Sequence, residues 1–162
     1  MASWFHLAKR CTLFGGGVPR VVLLWRRNNR WPRNDRSVCD PERTQGLQAP
    51  VPQGSHSLVT LNGPGVFLGA SVSKQGGAND ITFVILDIDG RNVTNLSFAA
   101  AANLGLTQQN PFGLVLVHSP ALKTMTIGFP TPLLYKKRLE LRVTVNEPNV
   151  VQIVGEVVHG AA

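Results

Sequence analysis

Apolar and polar residues alternate with a period of two through most of the chain after residue 50, and almost nowhere before it. That period places successive side chains on opposite faces of an extended strand. The cleanest run spans residues 134–146, with Leu139, Leu141, Val143 and Val145 pointing one way and Arg138, Glu140, Arg142 and Thr144 the other. Residues 65–74 set Val66, Leu68, Ala70 and Val72 against Phe67, Gly69, Ser71 and Ser73. Residues 122–129 set Met125, Ile127 and Phe129 against Thr124 and Thr126, with Pro130 and Pro132 bracketing the entry to the next strand. Residues 150–159 close the pattern, and residues 80–88 are apolar on both faces, as a strand covered on both sides would be. Shorter runs at 57–61, 91–98 and 113–119 bring the total to about eight strands.

Turn chemistry separates these runs. Asp89-Gly90 is a two-residue hairpin signal, because glycine takes positive φ freely. Gln75-Gly76-Gly77-Ala78-Asn79, Pro120-Ala121 and the corner at Glu147-Pro148 punctuate the rest. One helix-prone piece, residues 99–106, ends at Gly105 and should cross an edge of the sheets. Residues 45–56 read as a linker kept extended by Pro50 and Pro52. The predicted fold is all-β: an antiparallel β-sandwich of jelly-roll type over residues 51–162, preceded by a mostly irregular basic arm over residues 1–50. An open Greek-key barrel is the alternative. The last two runs, residues 134–159, are two-sided enough to pair with another subunit rather than form a bare edge.

Charge sharpens the division. The chain carries a net +7, and residues 1–50 hold nine of the 16 Lys and Arg against three acids. Within that arm Arg26, Arg27, Arg30, Arg33 and Arg36 are interleaved with Trp25 and Trp31, a composition that could neutralise phosphates and stack on bases. A solvated tail is the plainer account of such a charge run. An organellar transit peptide shares the composition, and translation starting near residue 50 is a further alternative. Cys11 and Cys39 both lie in the arm, and their spacing alone does not pair them. No apolar stretch approaches the ~18 residues of a membrane-spanning helix, so no membrane role is expected.

Catalytic motifs are weak. Ser71-Val72-Ser73-Lys74 has the S-x-x-K spacing of acyl-transfer enzymes, but that chemistry needs a helix to bring serine and lysine together. On a strand they read as solvent-facing residues before a turn. Asp87 and Asp89 lack the further oxygen ligands of a calcium loop. His6, His56, His118 and His159 show no metal-ligand spacing and read as surface or rim positions. No cofactor and no catalytic residue is expected.

Three segments together, Gly65-Val66-Phe67-Leu68-Gly69-Ala70, Leu86-Asp87-Ile88-Asp89-Gly90 and Pro132-Leu133-Leu134-Tyr135-Lys136-Lys137-Arg138-Leu139-Glu140-Leu141, resemble small jelly-roll modules of bacteriophage virion and tail-associated proteins. The resemblance covers about residues 58–160 and implies a structural or binding role with no catalytic residues to carry over. The expectation is therefore a non-enzymatic particle component, in a virion or the cytoplasm, acting by self-association or docking to other structural proteins. Tyr135, Lys136, Lys137 and Arg138 are the expected subunit contacts. A carbohydrate- or other ligand-binding sandwich and a nucleic-acid binder working through the arm remain the alternatives.

Overall fold

The computed structural model describes residues 40–108 and 115–161. They form nine strands and one short helix: β1 (Glu42–Gln48), β2 (Gly54–Asn62), β3 (Gly65–Gly76), β4 (Phe83–Ile88), β5 (Arg91–Ser97), α1 (Phe98–Asn103), β6 (Val115–Ser119), β7 (Thr124–Tyr135), β8 (Arg138–Val145) and β9 (Val150–Ala161). One sheet has the order β1-β9-β3-β7-β6 and the other β2-β8-β4-β5, with every pairing antiparallel. Leaving β6 aside, the strands pair as a nested series: β1 with β9, β2 with β8, β3 with β7, and β4 with β5. That is one long hairpin rolled into two layers, the jelly-roll wrapping. β6 adds a fifth strand beside β7.

The predicted alternation supplies the interior. Ala70 and Val72 of β3, Met125 and Ile127 of β7, and Ile153 and Val157 of β9 face Val84 and Leu86 of β4 and Leu139, Leu141 and Val143 of β8. Asp89 and Gly90 both take positive φ, as the two-residue turn joining β4 and β5 requires. Ser97 caps α1 by accepting from the amide of Ala100, and Phe98 at its start is fully buried.

Three expectations need correction. Residues 45–48 belong to β1, which pairs with β9 from Glu42↔His159 to Gln48↔Ile153, so the sandwich begins before residue 51. β1 escaped notice because it carries no inward hydrophobic residue. Its inward Gly46 lies so close to β2 that a Cβ would sit 1.8 Å from the Leu58 carbonyl oxygen. Pro130 and Pro132 do not bracket a new strand. They lie within β7, where its pairing with β3 jumps from Gly69↔Gly128 to Phe67↔Leu133, a bulge that needs no N–H from proline. Finally, β8 and β9 are not a hairpin. Each lies in the interior of a different sheet, so neither is available to pair with another subunit.

Candidate functional site

The phase of β3 and of β8 puts opposite charges inside the fold at one end of the sandwich. Lys74 continues the inward series Ala70, Val72, and Glu147 continues Leu139, Leu141, Val143, Val145; both side chains are completely buried. The turn after β3 closes over them and brings Asp80 and Thr82 to the same point. Lys74 Nζ donates to Glu147 Oε1 at 2.5 Å and to Asp80 Oδ1 at 2.8 Å. Thr82 Oγ1 donates to Glu147 Oε1 at 2.6 Å, and the amides of Asn79 and Asp80 donate to Oε2, each at 3.0 Å. Every lone pair of the buried carboxylate is thus directed at a donor, which is the condition under which such a charge is tolerated. Lys123, from the β6–β7 turn, reaches Asp80 Oδ1 at 3.5 Å and donates to the Gly77 carbonyl. Two cations and two anions balance.

Burial pushes the Glu147 carboxyl toward neutrality, but Lys74, Thr82 and the Asn79 amide prevail and hold it below its ordinary value. Asp80 follows the same logic: desolvation opposes, and Lys74 and Lys123 lower it. The Phe98 ring lies 5.3 Å from Lys74 Nζ and packs edge-on against His118 at 5.5 Å. His118 is buried rather than at a rim, and its Nδ1 has no hydrogen-bond partner. Desolvation lowers its basicity against the pull of Asp80. Lys74, read from sequence as solvent-facing, is the most deeply enclosed cation among the described residues.

The outer faces of the two sheets differ in kind. Across the five-stranded sheet, pairing aligns Leu47, Val154, Ser73 and Thr124 in one row, Gln45, Glu156, Ser71 and Thr126 in the next, and Arg43, Val158, Gly69 and Gly128 in a third. The single ion pair in these rows is Arg43–Glu156, toward the β1 edge at 3.2 Å. The four-stranded sheet instead carries a ladder of charge outside, with Arg138–Glu140 at 3.0 Å and Arg142–Asp87 at 2.9 Å.

At the end opposite the buried cluster lie two depressions. One, of about 520 Å³, is lined by Asp40, Glu42, Asn62, Tyr135 and His159 among others. His159 is tied there to the Thr44 hydroxyl at 2.9 Å. The other, of about 400 Å³, lies among Ile88, Asp89, Arg91, Leu134, Lys136 and Lys137. Among the described residues, no group of three or more His, Cys, Asp or Glu is placed to hold a metal ion.

The predicted contact residues divide. Tyr135 is buried over Gly65 and takes part in the lining of the first depression. Lys136, Lys137 and Arg138 form an exposed turn whose amides all donate to Asp89, at 2.8, 2.7 and 3.0 Å, and these bonds hold the Asp89 carboxyl below its usual range. Arg26, Arg27, Arg30, Arg33, Arg36, Trp25 and Trp31 lie outside the described residues. Of the described aromatic rings, those of Phe67, Phe98 and Tyr135 are buried, and those of Phe83 and Phe129 half-buried. No protein-family model matches the sequence, and comparison with curated proteins gives no match.

Proposed function

We propose that this jelly roll is a non-enzymatic assembly module that packs into a larger particle, such as a virion, through the outer face of its five-stranded sheet. The observation that carries the reading is that face: rows of Ser, Thr, Gly and Val whose one ion pair lies toward the β1 edge. A surface of small, weakly polar side chains costs little to desolvate, and charge is what interface centres exclude. The opposite sheet, with its paired Arg and acidic residues, is dressed for water. Jelly rolls also serve as lectins and cupins, so the wrapping alone does not choose the role.

Light scattering on the purified chain over a range of concentration tests this. Association that rises with concentration is expected, and Val154→Lys should reduce it at least about tenfold in dissociation constant, the equivalent of 1.4 kcal/mol. Thr144→Lys, on the outer face of the other sheet, should leave it unchanged. A monomer at every concentration, or equal effects from the two variants, would overturn the assignment. A second reading, a polar-ligand module, rests on the depression lined by Asp40, Glu42, Asn62 and His159, whose carboxylates, amide and imidazole suit sugar hydroxyls. A glycan array without hits removes it.

A further inference from the structure

We propose that Lys74 and Asp80 condense to an intramolecular amide, with Glu147 carrying the proton. The inference does not depend on the assembly reading. It starts from an amine with no access to water, held 2.8 Å from one carboxylate and 2.5 Å from another. The two carboxylates are not equivalent. Glu147 is completely buried and fixed by Thr82 and by the Asn79 and Asp80 amides. Asp80 retains 29% of its side-chain exposure, sits at a backbone φ of 54°, and has a second ammonium, Lys123, at 3.5 Å. Glu147 is therefore placed as a proton carrier and Asp80 as the acyl donor, with an open side through which water can leave.

The step balances without a co-reactant. Glu147 Oε1 takes one proton from the Lys74 ammonium and frees the nitrogen lone pair. The nitrogen attacks Asp80 Cγ, and the developing oxyanion is stabilised by Lys123. Glu147 returns its proton to the departing oxygen, which also receives the second nitrogen proton. The C–O bond breaks, water leaves, and ammonium plus carboxylate have become a neutral amide. In bulk water the ionised pair is favoured over its amide. Here burial penalises the Lys74 charge, Lys74 Nζ stands 2.8 Å from Oδ1 of the carboxyl group it would attack, and well-oriented intramolecular partners reach effective concentrations of about 10⁵–10⁸ M. The Phe98 ring, 5.3 Å from the nitrogen, helps exclude water from the bond once made. The turn between β3 and β4 would then be stapled over the end of the sandwich.

Mass spectrometry of the folded full chain decides the matter. The expected mass is lower than that of the sequence by one water, and the deficit persists in denaturant. Trypsin does not cut after an acylated lysine, so residues 44–91 should be recovered as one peptide, lighter by one water, and not as 44–74 plus 75–91. Fragmentation must place the loss between residues 74 and 80, since a succinimide at Asp89-Gly90 would lose the same water. A chain of full sequence mass, or a loss mapped to Asp89-Gly90, overturns the proposal. Glu147→Gln should restore the full mass, and a variant that still loses the water removes Glu147 from the chemistry.

Discussion

Two sets of ion pairs in this molecule use the same residue types to opposite ends. On the outer face of the four-stranded sheet, Arg142 meets Asp87 and Arg138 meets Glu140, with arginine side chains 38% and 52% exposed. At the closed end of the sandwich, Lys74 meets Glu147 with both side chains at zero exposure. Water screens the first set, and removing a member returns its partner to solvent. The second set has no such reservoir: each charge is tolerated only because the other is there. The contrast teaches that an ion pair's worth to the fold is set by what is left behind when half of it goes.

The largest effect should follow from breaking the buried set. Lys74→Met leaves Glu147 charged, buried and short of a donor, and should cost about 3–5 kcal/mol. Urea unfolding checks it. Where Lys74 is ionised and not condensed with Asp80, replacing both members, as Lys74→Met with Glu147→Leu, should recover much of that loss, because two apolar side chains of similar volume leave no orphaned charge. A double variant no better than the single one would show that the cluster matters for more than its charge balance.

Acid should separate the two sets next. Glu147 is held below its ordinary value of 4.5, so its contribution is complete above about that pH and is lost as pH falls toward the folded value. His118 is buried and lowered from 6.5, so the unfolded chain takes up its proton first and stability declines once pH drops below that value. Both terms act in the same direction, and stability should fall in two stages between neutral and strongly acid pH. Melting temperature against pH reads this directly. His118→Phe should flatten the upper stage and Glu147→Gln the lower.

How much of this the sequence discloses depends on where hydrophobicity does the work. β8 announces itself because its inward positions are all Val and Leu, and β3 and β9 because theirs are mainly apolar or small. The Asp89-Gly90 turn is equally plain, since few other pairs tolerate two positive φ values in succession. β1 is silent, because an edge strand with Thr44, Gly46 and Gln48 inward contributes hydrogen bonds and close packing but no apolar stripe. The cluster was partly legible. Lys74 falls in the inward phase of β3, and Glu147, two residues past the end of β8, continues that strand's inward series; a basic and an acidic residue both breaking an apolar series in phase is a signal of a buried pair. Asp80, Thr82 and Lys123 reach the same point from turns, and no local periodicity reports a turn's direction. The charge-poor outer face was visible only as the serines and threonines opposite each strand's apolar positions. Its continuity appears when the registers of β1, β9, β3 and β7 are aligned.

The smallest effect should come from the exposed ladder. Arg142 and Asp87 approach to 2.9 Å, yet the buried Arg142 Nε–H does not reach hydrogen-bond geometry, so the pair is a Coulombic contact between side chains 38% and 17% exposed. Arg142→Lys keeps the charge and the aliphatic stem and should change stability by less than about 0.5 kcal/mol. Arg142→Ala should cost no more than about 1 kcal/mol from the lost pair. It also uncovers Ile85, which stands directly across from Arg142 and is 7% exposed although it points outward. An arginine stem lying on an isoleucine contributes through packing, not charge. Raising the salt concentration separates the two contributions, since it weakens the Coulombic part and leaves the packing. If the cost of Arg142→Ala persists undiminished at high salt, the ladder holds this sheet through its methylene groups, and its charges serve to keep the face in water.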